Sequence, residues 1–301
     1  MREPEGTSMG VPVTRWAQDK FLLAPILPHL CGSEELCRAP SHVPQRLQLL
    51  VALRSRKTFL HLLLCDSDAS IASMTPANPQ PVTITVNDAQ RVSGLLQAPP
   101  EARACYVLAH GAGAGMAHPF MAAIANGLAE RGIATVRYQF PYMEQGSKRP
   151  DPPKIAHATV RAAVLEASRL TPELALFAGG KSFGGRMSSQ AQAASPLPAV
   201  QGIVFLGFPL HPPKQPSVER AKHLFEVQIP MLFLQGTRDE LAQVQLLQPL
   251  CEQLRALASL KLFQDADHSF HVPARTGRKD SEVQAELLDA VADWISTRPS
   301  I

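Results

Sequence analysis

The chain has 301 residues, of which 45% are hydrophobic and 18% are charged, and its formal net charge is +3. This is the composition of a globular protein with a large core, and the near balance of charge without a basic run argues against nucleic-acid binding. The five cysteines form no C-x-x-C pair, so neither a disulfide framework nor a zinc site is indicated and a reducing, cytoplasmic compartment is favoured.

The first 73 residues differ from the rest of the chain. Their prolines are scattered, and basic side chains interrupt the apolar run 47–65, which argues against a membrane span. We expect residues 1–73 to be a poorly structured or non-native extension, with Met74 as a possible true start. Residues 74–301 are then the folded domain.

Apolar strand-like runs alternate with helical patterns from residue 81 onward. The predicted strands are 82–86, 92–96, 104–109, 133–138, 174–178, 201–206, 230–236 and 260–263. The predicted helices are 120–131, 155–170, one directly after residue 182, 241–257 and 281–295. This alternation predicts an α/β fold with a mostly parallel central sheet flanked by helices. The intervening segments 141–153 and 210–228 are predicted as loops, and the second offers little material for a lid.

The fifth predicted strand runs into a glycine-rich turn with Ser182 at its centre. Gly180 to Gly184 matches G-x-S-x-G, and the strand before and helix after it are the context of a nucleophile elbow. An ordinary Gly/Ser turn is the alternative. In an elbow, the helix dipole stabilises negative charge near the serine during acyl transfer. Ser182 is therefore the candidate nucleophile.

A serine nucleophile needs a base and a carboxylate, which in this architecture follow in the order Ser, Asp/Glu, His. Asp239, just past the strand 230–236, fits the carboxylate position. Its alternative role is to cap the following helix. Asp265, Asp267 and Glu240 are rival carboxylates, although Asp267 is the sequence neighbour of the candidate histidine and neighbours in an extended loop rarely face one another.

His268 follows the last predicted strand and is the candidate base. It is preferred to His271 because it lies nearer the end of that strand. Four other histidines are interpreted as loop or packing residues, and no spacing of His, Cys or acidic residues suggests a metal. These four are His110, His118, His211 and His223.

The oxyanion of acyl transfer needs two backbone N–H donors. One is expected from Phe183, the residue after the nucleophile, and the other from the glycine-rich loop after an early strand. Ala112 is the first choice in that loop and Gly113 the second. A phosphate-binding loop is the alternative, but the loop lacks a G-K-[ST] ending and an acidic residue at the distance for ribose binding.

Two cations flank the candidate nucleophile. Lys181 can attract an anionic substrate, but a solvated or packed-aside cation is favoured for both Lys181 and Arg186. Cys105 and Cys251 are predicted as core residues of a strand and a helix.

The ordered set of these motifs resembles the α/β-hydrolase superfamily, in the branch of the dienelactone-hydrolase relatives, over about residues 81–295. That branch also includes a subunit of the non-specific lethal chromatin complex. The segments that carry the resemblance are HGAGA at 110–114, FPYM at 140–143, GGKSFGGRM at 179–187, GFPLHPP at 207–213, QGTRD at 235–239 and ADHSF at 266–270. The resemblance implies the α/β-hydrolase fold and the triad Ser182, Asp239 and His268. Dienelactone hydrolase itself uses a cysteine nucleophile, so the serine here separates this chain from that lactone substrate.

The sequence therefore predicts a serine hydrolase acting on small carboxylic esters, thioesters or lactones, without cofactor or metal. Its expected partner is a small ester-like molecule, with no nucleic acid and no membrane, and the oligomeric state is left open. The alternative is a non-catalytic α/β-hydrolase-fold scaffold, as the chromatin relative suggests. A peptidase lacks any recognisable gating domain.

Overall fold

The computed structural model describes residues 78–298. The expectations for residues 1–73 and for a start at Met74 lie outside the described residues. Eight strands are present in this part: β1 (Gln80–Asn87), β2 (Gln90–Gln97), β3 (Ala104–Ala109), β4 (Ile133–Tyr138), β5 (Ala175–Lys181), β6 (Val200–Leu206), β7 (Met231–Gly236) and β8 (Ala258–Phe263). The α-helices are α1 (Pro119–Ala129), α2 (Pro141–Glu144), α3 (Pro153–Leu170), α4 (Phe183–Ala194), α5 (Val244–Leu254) and α6 (Asp280–Ser296).

The strands form one sheet in the order β1-β2-β4-β3-β5-β6-β7-β8. β1 and β2 form an antiparallel hairpin, in which the Asn87 side chain accepts a hydrogen bond from the Ala89 amide at 3.0 Å and so stabilises the turn. β2 is antiparallel to β4, and all later pairs are parallel. The predicted fold, a mostly parallel sheet flanked by helices, is confirmed.

The core lies on both faces of the sheet because successive side chains of a strand point to opposite sides. Cys105 and Val107 of β3 pack with α3 and α4, whereas Tyr106 and Leu108 pack with α1 and α6. The central strands are buried on both faces, which explains why β3 and β4 read as continuous apolar runs rather than alternating ones. Cys105 and Cys251 are buried, as predicted.

Two predicted loops contain short helices. α2 begins at Pro141, whose fixed φ and missing N–H suit the first position of a helix. The segment 210–228 contains a 3-10 helix at Glu219–Glu226. A 3-10 helix has three residues per turn, so it differs from the α-helices that were predicted elsewhere in the chain. Between β6 and β7, all of which is described, this 3-10 helix is the only regular element, so no lid domain is inserted there.

The predicted helix 241–257 is shorter in the structure. α5 starts at Val244 because residues 239–242 form a tight turn, in which the Ala242 amide donates to the Asp239 carbonyl at 3.2 Å. It ends before Arg255, whose φ of 54° no α-helix accommodates.

The parallel strands bring four loops to one rim of the sheet. The segments after β3, β5, β7 and β8 all leave from carboxyl ends, which is where ligands bind in open parallel sheets. Within residues 78–298, no helix combines the length and the apolar character that crossing a membrane requires.

Candidate active site

Ser182 occupies a sharp, strained turn between β5 and α4. Its φ of 49° and ψ of −112° are unfavourable for a residue that carries a Cβ atom. A Cβ atom on Gly180 would lie 2.1 Å from the carbonyl oxygen of Ala109, and one on Gly184 would lie 2.6 Å from the same oxygen. The two glycines therefore allow β3 to approach the turn closely, and the packing around them holds the serine in its strained conformation.

The hydroxyl of Ser182 is not used to cap the helix that follows. Ser182 is the N-cap residue of α4, yet its side chain makes no capping hydrogen bond within the described residues. The partial positive charge of the helix N-terminus lies next to this hydroxyl. A developing negative charge on a substrate held at Ser182 is stabilised by that dipole.

His268 and Asp239 form a close pair beside the serine. His268 Nδ1 lies 2.6 Å from Asp239 Oδ2, and the carboxylate side chain is fully buried. Because a carboxylate only accepts, Nδ1 carries the proton and Nε2 is left as the basic nitrogen. This is the arrangement that a general base requires.

Asp239 accepts two further hydrogen bonds. The Leu241 amide donates to Oδ1 at 2.7 Å, and the side-chain amide of Gln235 donates to Oδ2. Gln235 Oε1 in turn accepts from the Phe208 amide at 2.9 Å. These donors offset the desolvation of a buried carboxylate and fix its orientation.

Gln235 is a site residue that was not predicted from the sequence. The signal that could have identified it is an amide side chain near the end of the otherwise apolar strand β7, because a buried polar side chain needs hydrogen-bond partners.

The rival residues lie elsewhere. Asp267 accepts from the amides of Ser269 and His271, at 2.7 and 3.0 Å, and so shapes the loop. His271 pairs with Asp280 at 2.8 Å on the exposed surface at the start of α6. Glu240 is exposed, and Asp265 is tied to Thr237 through its amide at 2.8 Å. Of the candidate carboxylates, Asp239 is the one that the structure brings to His268.

Ser182 and His268 line the same cavity, of about 410 Å³. Most of the other lining residues are small or apolar, and two, Lys181 and His118, are basic. The full lining comprises Gly111, Ala112, Ala114, His118, Phe120, Met121, Lys181, Ser182, Leu241, His268 and Ser269. The cavity is therefore sized for a small molecule and contains both candidate reacting groups.

The glycine-rich loop beside this cavity is held by the side chain of its own first residue, His110, and by Tyr142 from the segment after β4. His110 donates from Nδ1 to the Gly111 carbonyl at 2.7 Å and accepts at Nε2 from the Phe140 amide at 3.1 Å. Burial lowers the pKa of His110 to about 4, so the ring is neutral, as this pairing requires. The hydroxyl of Tyr142 accepts from the Gly113 amide at 3.1 Å.

This arrangement separates the two oxyanion candidates in the loop. The Gly113 amide is already engaged by Tyr142, whereas the Ala112 amide has no acceptor among residues 78–298. The Phe183 amide is the first of α4, and the first amides of a helix have no partner within it. The geometry thus favours Ala112 over Gly113 as the partner of Phe183.

Lys181 is half-buried, and its ammonium donates to the backbone carbonyl of His268. Of the two alternatives that the sequence favours, a solvated and a packed-aside cation, this position fits the second. Burial lowers the pKa of Lys181 to about 8, although the charges of Asp239 and Asp267 partly oppose this. No group of three or more His, Cys, Asp or Glu side chains able to hold a metal ion occurs in the described part of the chain.

Comparison with known proteins gives a family. Residues 102–296 match the family described as Alpha/beta hydrolase domain. A serine hydrolase without lid from Xanthomonas campestris shares 22% identity, with a TM-score of 0.57 over 75% of this chain and 99% of that one. Dienelactone hydrolase from Anabaena variabilis shares 21% identity, with a TM-score of 0.60 over 74% and 98%. A dienelactone hydrolase-like promiscuous phosphotriesterase from metagenomic libraries shares 18% identity, with a TM-score of 0.55 over 74% and 98%. At these identities the similarity shows a shared fold.

Proposed function

We propose, from the premise that this chain belongs to the alpha/beta hydrolase family and to its dienelactone-hydrolase-like branch, that it is a serine hydrolase of small carboxylic esters, thioesters or lactones. The observation that carries the proposal is the buried Asp239–His268 pair, with its 2.6 Å contact, at a cavity that also contains Ser182 on a strained turn. Strain of this kind persists only where the surrounding structure maintains it, and it clusters at functional sites.

The proposed reaction uses only side chains, backbone amides and water. Ser182 Oγ attacks the carbonyl carbon of the substrate while His268 Nε2 takes the hydroxyl proton, and Asp239 stabilises the imidazolium. The tetrahedral oxyanion accepts hydrogen bonds from the amides of Ala112 and Phe183. His268 then returns the proton to the leaving alcohol or thiol, which leaves an acyl group on Ser182.

Deacylation repeats these steps with water as the nucleophile. His268 removes a proton from a water molecule, which attacks the acyl-enzyme, and the same amides stabilise the second oxyanion. The carboxylic acid leaves, and the proton on His268 returns to Ser182. No group other than the triad has to change its protonation state.

The cavity supports small substrates. Its volume of about 410 Å³ lies toward the lower end of ligand sites, and the open connection between β6 and β7 adds no lid over it. Ala112, Ala114 and Met121 give part of the lining an apolar character suited to a short acyl or alcohol group. A strained serine and a buried Asp–His pair at one cavity support a hydrolase over a non-catalytic scaffold.

The test is hydrolysis of a panel of p-nitrophenyl esters from acetate to octanoate, acetyl and butyryl thioesters, and simple lactones. We expect turnover to be best for short acyl chains. Ser182→Ala should lower kcat by about 10³-fold or more, as loss of a serine nucleophile does elsewhere.

Ser269→Ala is the matched control, because Ser269 lines the same cavity without a proposed part in the chemistry. It should keep wild-type activity. A folded wild-type protein inactive on every substrate, or a Ser182→Ala variant as active as wild type, would rule the proposal out.

A further inference from the structure

Lys181, the residue before the candidate nucleophile, lies in an aromatic enclosure. Its Nζ lies 5.8 Å from the ring centre of Phe120 and 5.3 Å from that of Phe270. A Cβ atom on Gly111 would lie 3.4 Å from Cγ of Lys181, so the aliphatic part of the lysine side chain passes directly beneath the glycine-rich loop. An ammonium over two aromatic faces is favourable, but desolvating it carries a cost that requires polar contacts in return.

The polar contact that Lys181 makes is with the main chain of His268. Nζ donates a hydrogen bond to the His268 carbonyl, and no carboxylate oxygen lies within 4.0 Å of it among residues 78–298. Within the described residues, the ammonium therefore binds the loop by a hydrogen bond and forms no ion pair. A Cβ atom on Gly207 would lie 3.0 Å from Nζ and 3.4 Å from two atoms of the His268 ring, so the ammonium and the imidazole flank the same glycine.

The loop that carries His268 needs such a tie. Asp265 and Phe270 have positive φ values of 61° and 64°, which are strained for residues with side chains. The turn bonds to itself through the Asp267 amide on the His271 carbonyl and the Phe270 amide on the Asp267 carbonyl, both at 3.0 Å. It is also joined to the loop after β7, where the Arg238 amide donates to the Ala266 carbonyl at 2.9 Å and Asp239 binds His268. Within the described residues, the bond from Lys181 is the hydrogen bond that joins the nucleophile's strand to this turn.

We propose that Lys181 is a positioning residue for the general base: its ammonium holds the main chain of His268 in register with Ser182. The proposal rests on the proposed function. The carboxylates of Asp239 and Asp267 act on the ammonium through their charge, the ring of His268 lies against the same glycine as Nζ, and His118 lines the same cavity.

The test compares Lys181→Met, Lys181→Arg and wild type in the full-length chain, with Lys261→Met as a matched control. Lys261 also places its ammonium over a phenylalanine ring, at 5.6 Å, but pairs with Glu286 and lies away from the cavity. Three quantities are measured: kcat and KM on the best ester, and hydrogen–deuterium exchange of residues 266–271.

Lys181→Met should lower kcat by about 10- to 100-fold, because a small misplacement of a reacting group has effects of that order. KM should change by less than about threefold, since the contact is not to substrate. Exchange in residues 266–271 should become faster. Lys181→Arg keeps a cationic donor for the His268 carbonyl and should therefore retain more of the wild-type kcat than Lys181→Met. Lys261→Met should match wild type in all three quantities.

The proposal is overturned if Lys181→Met keeps wild-type kcat and exchange, or if kcat falls while the exchange of residues 266–271 does not change. If the wild-type protein has no hydrolytic activity, the proposed function is wrong, but the exchange measurement still tests the role of Lys181. In that case unchanged exchange in Lys181→Met overturns the tie, and faster exchange confined to this loop supports it.

Discussion

At the residue scale, the carboxylate of Asp239 determines how His268 is presented. It accepts hydrogen bonds from His268 Nδ1, from the Leu241 amide and from the Gln235 side chain. With these donors on its two oxygens, the carboxylate has one orientation. The ring that it binds therefore has one tautomer and one direction.

Replacing Asp239 with asparagine tests this directly. His268 and Gln235 both donate to Oδ2, and the Leu241 amide donates to Oδ1, so the NH₂ group of an asparagine faces either the first two donors or the Leu241 amide. In the first orientation the ring loses its acceptor, and in both the negative charge that stabilises the imidazolium is lost. We expect kcat on esters to fall by about 10⁴-fold, the size of the same change in other serine hydrolases. Glu240→Gln, at the exposed neighbouring position, should keep full activity. Activity within tenfold of wild type in Asp239→Asn would contradict this role.

The candidate residues of this site were predicted from their order along the chain, because each stands just after a predicted strand. Ser182, Asp239 and His268 stand in loops at one rim, and parallel strands explain why. The enclosure of Lys181 was not predictable, because it depends on Phe120 and Phe270, which are distant in sequence. Ala112 already ranks before Gly113 in the sequence, but the hydroxyl of Tyr142 that engages the Gly113 amide is not visible in any local pattern.

At the scale of the element, the turn between β5 and α4 is the most constrained part of the fold. Gly180 has a φ of 144°, and the space where its Cβ would lie is occupied by the backbone of Ala109. A side chain at this position forces β3 away from β5. The turn and the loop after β3 then separate, which also parts Phe183 from Ala112.

We expect Gly180→Ala to lower the free energy of unfolding by about 3 kcal/mol or more, since backbone strain and overpacking add. Gly146→Ala is the matched control, because Gly146 also has a positive φ, of 68°, but nothing lies within 4 Å of its Cβ position. That change should cost only about 1–2 kcal/mol. Urea unfolding of both variants measures the difference, and equal costs would show that close approach to β3 is not the constraint.

Elements were predicted best where burial leaves a continuous apolar run. The predicted strands 104–109 and 133–138 coincide with β3 and β4. The 3-10 helix at Glu219–Glu226 was missed because it is short and mostly polar. The start of α5 was placed too early because the turn at Asp239 is fixed by tertiary hydrogen bonds.

At the scale of the whole molecule, the sheet order explains how distant segments make one site. Parallel pairing from β4 through β8 sends the loops after β3, β5, β7 and β8 to one rim. The fold class and this rim follow from the alternation of strands and helices. The alternation does not predict the ammonium of Lys181 beneath the rim. This charge affects the free energy of unfolding.

Burial of Lys181 predicts a pH dependence of stability. In the folded chain the pKa of Lys181 is lowered to about 8 from the ordinary value of 10.5, because the ammonium is desolvated. Between these values the unfolded chain binds more protons than the folded chain, so this group's contribution to stability rises with pH. The free energy of unfolding of wild type relative to Lys181→Met should therefore increase between about pH 8 and pH 10. A difference that stays flat or falls over this window would contradict the burial of the charge.

The central claim is that Ser182 is an activated nucleophile, and covalent labelling tests it most directly. The purified chain is treated with a fluorophosphonate probe, and the adduct is located by peptide mass spectrometry. We predict a single adduct on Ser182, absent from Ser182→Ala and His268→Ala and retained in Ser269→Ala. Folded wild-type protein that is not labelled, or an adduct that persists in Ser182→Ala, would contradict the account.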